Sequence, residues 1–244
     1  MQVKELITAS RRLAAEAGRL RFAPPVRFVY NPLLYAREPS ELYLSRYAAG
    51  RKAVVFLGMN PGPWGMAQTG VPFGEVSVVR DWLHIHGHVA APPVVHPRVP
   101  VRGFECTRSE VSGSRLWGLM RERFVDSAEL ARDWLVTNYC PLLFLDEAGR
   151  NLTPDRIARS DRDALFAACD RFLKVLVQAV RPQWVVGVGA FASKRLRTVL
   201  GAETGHRLRV AAIPHPSPAS PLANRGWAAQ ARGLLVAQGI WGLR

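Results

Sequence analysis

The chain has 244 residues, of which 48% are hydrophobic, and its 33 Lys and Arg residues against 19 Asp and Glu give a net charge of +14. These values are typical of a globular protein with one sizeable core. No stretch approaches the roughly 18 consecutive apolar residues of a membrane span. The composition therefore excludes a transmembrane protein and predicts a cytoplasmic one, associated with the nucleoid if the cell is bacterial.

The positive charge favours a polyanionic partner, and nucleic acid is the first candidate. A basic protein from a GC-rich genome is the alternative, because Arg residues outnumber Lys residues and because both Ala and Pro residues are frequent. Charge alone does not separate the two. We expect no membrane contact and no obligate protein partner, and we predict a monomer.

Helical and strand-like patterns alternate along the chain. The first elements are an amphipathic helix over residues 4–18 and a strand over residues 26–30, which follows Pro24-Pro25. Ser40 is predicted to cap a helix that runs to residue 49. Short apolar runs rich in β-branched or aromatic residues predict buried strands at 54–57, 134–137, 184–188 and 210–213. Further helices are predicted at 76–85, 114–124, 161–180, 191–200 and 222–238, and a long loop at 87–106.

This alternation predicts a single α/β domain over residues 1–244, a three-layer α/β/α sandwich around a central, mostly parallel four-stranded sheet. In such folds ligands bind at the carboxyl ends of the strands. Asn60, Asn138 and His215 each follow a predicted strand. We therefore expect these side chains to lie at the same edge of the sheet.

Two loops rich in Gly and Pro follow the predicted strands at 54–57 and 210–213. The first spans residues 58–75 and has almost no charge, and the second reads Pro-His-Pro-Ser-Pro at 214–218. Gly and Pro fix unusual backbone angles and let a ligand approach the main chain closely. Taken singly, Asn60-Pro61-Gly62 is common turn chemistry and His215 a common structural histidine. Their joint occurrence predicts an active site.

The polar residues near these loops suit a reaction whose leaving group departs as an anion. Asn60 takes up no proton near neutral pH, but its carbonyl oxygen can orient a water, and His215 can donate a hydrogen bond to a developing anion. Asn138 offers an acceptor beside a donor, which matches N3–H and O4 of uracil, and Phe73 can stack on a flat ring. Hydrolysis of the N-glycosidic bond to uracil is such a reaction, with His215 at O2 of the departing base, and it needs no metal or cofactor.

Three segments in order along the chain give a specific resemblance. The first loop reads Gly-Met-Asn-Pro-Gly-Pro at 58–63 and Gln-Thr-Gly-Val-Pro-Phe-Gly-Glu-Val at 68–76; Asn-Tyr-Cys-Pro-Leu-Leu stands at 138–143, and His-Pro-Ser-Pro at 215–218 precedes Ala-Asn-Arg-Gly-Trp at 223–227. From about residue 28 onward the chain resembles the single-strand-selective monofunctional uracil-DNA glycosylases of the uracil-DNA glycosylase superfamily. The resemblance implies that superfamily's fold, DNA containing uracil as the partner, and base excision repair that begins with an abasic site. The absence of Lys from both loops agrees with a monofunctional enzyme.

The resemblance also implies individual roles. Asn60 and His215 are catalytic, and Met59, Gly62, Phe73 and Asn138 bind the base. In relatives with strict uracil specificity a Tyr occupies the position of Gly62 and blocks C5-substituted pyrimidines. Gly62 therefore implies room for a C5 substituent, and we expect 5-hydroxymethyluracil to be accepted.

The chain departs from the family in the loop after His215. Animal members carry an Arg directly after His-Pro-Ser-Pro that helps fill the gap left by the flipped base, whereas this chain has Ala219. We therefore expect activity on both single- and double-stranded DNA, lower on the duplex. The residues assigned to DNA binding and to the wedge are Ser217, Pro218, Ala219, Ser220, Leu222, Asn224 and Arg225. Candidate phosphate contacts are Arg102, Arg108, Arg115 and Arg225. No spacing rule decides which of these arginines reach the DNA backbone.

Two other functions stay open. A glycosylase that prefers deaminated purines would release xanthine or hypoxanthine in preference to uracil. A non-catalytic DNA-binding protein would keep the fold and the positive surface without base release.

Other clusters carry weaker signals. The histidines at 84, 86, 88 and 96 have no nearby Cys and only Asp81 as a close carboxylate, so we predict no metal site. The wide spacing of Cys106, Cys140 and Cys169 predicts free thiols, with no disulfide and no iron–sulfur cluster. Ser217 lacks the surroundings of a nucleophile, and we expect it to bond to backbone or phosphate.

Overall fold

The computed structural model describes residues 2–201 and 208–243, and for Pro221 and Leu222 the backbone alone. The strands are β1 (Phe28–Tyr30), β2 (Val54–Gly58), β3 (Trp134–Asn138), β4 (Leu143–Leu145), β5 (Asn151–Leu152), β6 (Trp184–Val188) and β7 (Arg209–Ile213). A central four-stranded sheet has the order β3-β2-β6-β7, and every pairing in it is parallel. β2 and β3 are buried along their whole length, as strands covered on both faces must be. The predicted central sheet is confirmed.

The helices are α1 (Gln2–Arg19), α2 (Pro32–Tyr35), α3 (Arg37–Tyr47), α4 (Met66–Thr69), α5 (Val76–Asp81), α6 (Val111–Arg123), α7 (Ser127–Asp133), α8 (Arg159–Val180), α9 (Ala190–Leu200) and α10 (Trp227–Ala237), with 3-10 turns at Gly103–Glu105, Pro154–Arg156 and Pro221–Asn224. α8 packs between α1 and α9, and α9 covers β6 and β7. α10 also contacts β7 and packs with α6. Helices lie on both sides of the sheet, which confirms the predicted three-layer α/β/α fold. In the part of the chain described, no helix is both long enough and apolar enough to cross a membrane.

A second sheet was not predicted. β1, β4 and β5 form an antiparallel sheet in that order, with Tyr30 opposite Leu143 and Phe28 opposite Leu145. β4 is fully buried and follows β3 after only a few residues, so no change in composition separates the two strands. Tyr30 at the end of β1 donates to the carbonyl of Val99 at 2.7 Å and accepts from the His96 amide. This sheet therefore holds the long loop of residues 87–106 against the domain.

Three helix predictions are wrong in their bounds. Ser40 is not a cap, because α3 starts at Arg37 directly after α2 and buries Ser40 inside it. α5 ends at Asp81, well before residue 85, since His84 has a φ of 53° and turns the chain so that Leu83 and Ile85 are buried. The predicted helix at 222–238 is divided into a 3-10 turn and α10 by Gly226, whose φ is 79°.

Candidate active site

The predicted loops meet in one cleft at the carboxyl edge of the central sheet. Gly58 at the end of β2 pairs with Asn138 at the end of β3, and the loop 214–218 follows β7. The cleft has a volume of about 400 Å³, which falls within the usual range for small-molecule sites. The predicted residues that line it are Met59, Asn60, Gly62, Phe73, Asn138, His215, Ser217 and Pro218.

Asn138 presents a hydrogen-bonding edge that the protein itself leaves unused. Its side chain is 8% exposed, and its Oδ1 is buried with no hydrogen-bond partner among the described residues. Its Nδ2 donates only to the weak thioether acceptor of Met66, at 3.3 Å. Since a buried unpaired polar atom costs about 1–3 kcal/mol, its presence at a cleft wall indicates a ligand that supplies the missing partner. A planar edge with a donor beside an acceptor, such as the N3–H and O4 of uracil, matches Oδ1 and Nδ2 of Asn138.

His215 is held neutral, with one defined tautomer. Burial lowers the pKa of His215 to about 4, so the ring carries no charge near neutral pH. Its Nδ1 accepts a hydrogen bond from the Ser217 amide at 3.1 Å, which places the ring proton on Nε2. The Nε2–H group is therefore the donor that His215 offers to an oxygen that gains negative charge in the cleft.

The amide of Asn60 is oriented by the loop that follows β3. Its Nδ2 donates to the carbonyl of Leu142 at 3.2 Å. With the NH₂ group engaged in this way, Oδ1 is the atom left to accept a hydrogen bond from a water. This arrangement fits the expected role of Asn60 as the group that orients a nucleophilic water.

Phe73 forms a wall of the cleft in a strained backbone conformation. Its φ is 53°, unusual for a residue with a side chain, and its carbonyl accepts from the Trp117 indole at 3.0 Å and from the Glu75 amide at 2.8 Å. The Phe73 ring lies 6.3 Å from the ring of His215, centroid to centroid. A Cβ atom on Gly58 would overlap both the Phe73 ring and Asn138 Oδ1. Gly58, which the sequence did not assign to the site, therefore lets the Phe73 ring and the Asn138 amide lie side by side.

The space beside Gly62 is occupied by a carboxyl group that sequence reasoning missed. The Glu110 side chain crosses Gly62 and Gly65, and a Cβ atom on Gly62 would overlap Glu110 Oε2. Burial raises the pKa of Glu110, although amide groups of Ser112 and Trp64 favour its ionised form. The room predicted at Gly62 is thus bounded by a polar group. Nothing in the sequence pattern joins Glu110 to a loop some fifty residues earlier, so the contact became visible only in the structure.

The second loop is braced from within and from α6. Ser217 Oγ accepts from the Ala219 amide at 3.2 Å, so this hydroxyl makes the backbone bond that was one of its two expected roles. Asn224 Nδ2 donates to the Pro218 carbonyl at 2.9 Å. Arg115 donates to the Pro216 carbonyl at 2.8 Å and to Asn224 Oδ1 at 3.1 Å. Arg115, a candidate phosphate contact from sequence, is thus engaged in holding the loop.

The remaining wedge candidates whose side chains the structure describes are exposed or half-buried. Pro218, Ala219, Asn224 and Arg225 are exposed. The Ser220 amide donates to the Ser217 carbonyl at 2.9 Å. The Leu222 side chain lies outside the described part of the structure. Pro218 lines the cleft, whereas Ala219, Ser220, Asn224 and Arg225 do not.

The other clusters have structural explanations. His96 is buried, and both of its ring nitrogens are engaged with backbone groups. Its Nδ1 accepts from the Arg98 amide at 3.0 Å, and its Nε2 lies 3.1 Å from the Glu147 carbonyl oxygen. Cys106, Cys140 and Cys169 are buried free thiols. Trp64 lies under the Arg108 guanidinium, 3.8 Å from its ring centroid.

Comparisons with known proteins agree on one family. The model of the uracil DNA glycosylase superfamily matches residues 45–231. The single-strand selective monofunctional uracil-DNA glycosylase of Rattus norvegicus is 50% identical over 229 residues, which cover 94% of this chain and 82% of that protein. The corresponding protein of Bos taurus is 49% identical over 229 residues, covering 94% of this chain and 84% of that protein. The crystal structure of wild-type Pedobacter heparinus SMUG2 aligns with a TM-score of 0.66 over 95% of this chain and 97% of that one, and at 15% identity it bears on the fold alone.

Proposed function

Since the chain belongs to the uracil-DNA glycosylase superfamily and is half identical to its single-strand selective monofunctional members, we propose that it hydrolyses the N-glycosidic bond of uracil in DNA. It is a hydrolase that acts on N-glycosyl bonds. The products are free uracil and an abasic site, which base excision repair then processes. The observation that carries the proposal is the buried, unpaired Oδ1 of Asn138 in the cleft that His215 also lines.

The reaction follows from the positions of these groups. A nucleotide turned out of its strand places its base against Phe73, with N3–H at Asn138 Oδ1 and O4 at Nδ2. The C1′–N1 bond breaks with its electron pair going to uracil, and the sugar becomes oxocarbenium-like. His215 Nε2–H donates to O2 of the uracil anion, and this bond strengthens as charge develops. The water held by Asn60 Oδ1 bonds to C1′ and releases its proton to the solvent.

The test is a panel of labelled oligonucleotides that differ in a single base. The parent protein is expected to release uracil from a single strand faster than from a G·U duplex, and to release xanthine and hypoxanthine more slowly than uracil. Faster release of either purine would favour the alternative glycosylase. An absence of base release together with tight binding would favour the non-catalytic DNA-binding protein.

We infer further that C5-substituted pyrimidines such as 5-hydroxymethyluracil are accepted. O4 lies at Asn138 Nδ2, which faces Met66, so C5 lies on the Met66 side of the base. Gly62 and Glu110 line the same cleft as Met66, and the Glu110 carboxyl group lies against Gly62. A hydroxymethyl group can donate a hydrogen bond to this carboxyl group, and a methyl group cannot.

A substitution at Glu110 tests the C5 inference. Glu110→Gln keeps the size of the side chain but replaces one of its two carboxyl oxygens with an NH₂ donor. The ratio of kcat/KM for 5-hydroxymethyluracil to that for uracil should fall by roughly three- to tenfold, because the variant offers the hydroxymethyl group one acceptor oxygen fewer. A ratio that stays within about twofold of the parent's would remove Glu110 from C5 recognition, and uracil release serves as the internal control.

We also propose that duplex DNA is a poorer substrate than single-stranded DNA. The exposed position after Pro218 carries Ala219, which is too small to fill the gap that a flipped base leaves in a duplex. Action as a monomer in the cytoplasm, on the nucleoid of a bacterial cell, is part of the same proposal.

A further inference from the structure

A second pocket adjoins the cleft and has a different chemical character. It has a volume of about 240 Å³ and is lined by Trp64, Arg98, Pro100, Arg102, Cys106, Thr107 and Arg108. We call it the arginine pocket. Trp64 lines both the arginine pocket and the base cleft, so the two share a wall.

The cations of this pocket are free to bind a ligand. Arg98, Arg102 and Arg108 are exposed, and none of the three forms an ion pair with another described residue. No carboxylate is among the residues that line the pocket. Arg108 Cζ lies over the Trp64 ring, 3.8 Å from its centroid, and this cation–π contact limits the motion of the guanidinium group.

The backbone of the arginine pocket is fixed to the first loop, residues 58–75. Gln68 is fully buried and donates to the carbonyl of Pro63 at 2.8 Å and to that of Pro100 at 3.0 Å. Its Oε1 accepts from the Arg102 amide at 2.8 Å. The segment that carries the arginines therefore keeps a constant position relative to the base cleft.

We propose that the arginine pocket binds a phosphodiester group of the substrate strand next to the nucleotide whose base occupies the cleft. Arginine presents a planar array of donors that matches phosphate oxygens. A base that turns into the cleft leaves its flanking phosphates at the rim, where Trp64 separates the two pockets. Such a contact holds a single strand without a wedge, which fits a chain with Ala219 after Pro218. The inference rests on the proposed function.

The variant Arg102→Gln/Arg108→Gln tests this proposal against a matched control. The control, Arg51→Gln/Arg181→Gln, removes the same charge from two exposed arginines in the loops that enter β2 and β6, at the opposite edge of the sheet. For uracil release from a single strand, the pocket variant should raise KM roughly tenfold while kcat stays near the parent value. The plot of log KM against log salt should become shallower by about 0.7 for each phosphate that the variant no longer binds, and by less in the control. Arg102→Lys/Arg108→Lys keeps the charge and should retain most of the salt slope.

A neutral linkage in the substrate locates the contact. One methylphosphonate is placed in turn at each phosphate that flanks the uridine. At one position it should raise the parent's KM and leave that of the pocket variant unchanged. If the parent releases uracil but the pocket and control variants behave alike at every position, the phosphate site is refuted and the proposed function stands.

The two proposals can fail separately. If the parent releases no base, the proposed function is wrong. Fluorescence anisotropy with a single strand that lacks uracil then tests the proposed phosphate site. Weaker binding by the pocket variant than by the control variant supports the site, and equal binding refutes it.

Discussion

Burial sets the state of both His215 and Asn138. His215 is neutral because burial disfavours its charge, and Asn138 keeps a buried oxygen unpaired. That these two residues belong to the site was predictable from the sequence, since each of them follows an apolar run. The tautomer of His215 was not predictable, because it depends on the Ser217 amide. The contact between Glu110 and Gly62 was likewise outside the reach of pattern reasoning.

The His215 ring provides a prediction on pH. Its folded pKa of about 4 lies below the ordinary value of 6.5, so the unfolded chain takes up a proton at pH values where the folded one does not. The stability that His215 contributes is therefore present above pH 6.5 and is lost as the pH falls from 6.5 toward 4. An NMR titration of the ring, assigned with His215→Asn, should show no protonation above about pH 5.

A midpoint near the ordinary histidine value would contradict this assignment. As a second check, the melting temperature of the parent should fall more steeply than that of His215→Asn between pH 6.5 and 4, where the two pKa values differ. Parallel curves would show that His215 does not titrate differently on folding.

Asn138 provides a prediction on the balance between stability and activity. Asn138→Leu has a similar volume and removes the unpaired oxygen, so the melting temperature should equal or exceed that of the parent. The value of kcat/KM for uracil should fall by about 100-fold or more, because the variant cannot form the two hydrogen bonds to the base. Thermal unfolding and base release are measured on the same preparation. A variant that is less stable by several degrees would indicate that Asn138 has a structural role.

At the scale of elements, the strands of the central sheet were predictable because buried parallel strands are short, apolar and β-branched. β4 and β5 were not, since β4 continues an apolar motif after β3 and β5 has only two residues. The predicted helix at residues 76–85 cannot continue through His84, because His84 has a left-handed backbone conformation that sequence patterns do not indicate. Each error lies where tertiary contacts decide the local conformation.

α6 provides a prediction at this scale, because it carries the brace of the second loop. Arg115→Ala removes the hydrogen bonds to Pro216 and Asn224, which should loosen the loop that carries His215. We expect kcat for uracil to fall by roughly tenfold with little change in melting temperature. Arg51→Ala, at an exposed arginine in the loop that enters β2 at the opposite edge of the sheet, is the comparison. Equal losses in kcat for the two variants would contradict the bracing role.

At the scale of the whole molecule, the parallel sheet brings together loops that are distant in sequence. Asn60, Asn138 and His215 come from three different strand ends and line a single cleft. The net charge of +14 over the whole chain favours a polyanionic partner. Fold, charge and site chemistry thus agree on a nucleic-acid substrate, whereas the polar boundary at Gly62 and the arginine pocket required the structure.

The most direct test of the central claim measures both products from a single-stranded oligonucleotide with one labelled uracil. For the parent, free uracil and alkali-labile sites should appear in equal amounts, and the strand should stay intact until alkali is added. Asn60→Ala and His215→Leu should each lose most of this activity while they still fold and bind the strand. Strand cleavage without alkali would contradict the monofunctional mechanism, and a parent that binds the strand but releases no base would contradict the assignment as a glycosylase.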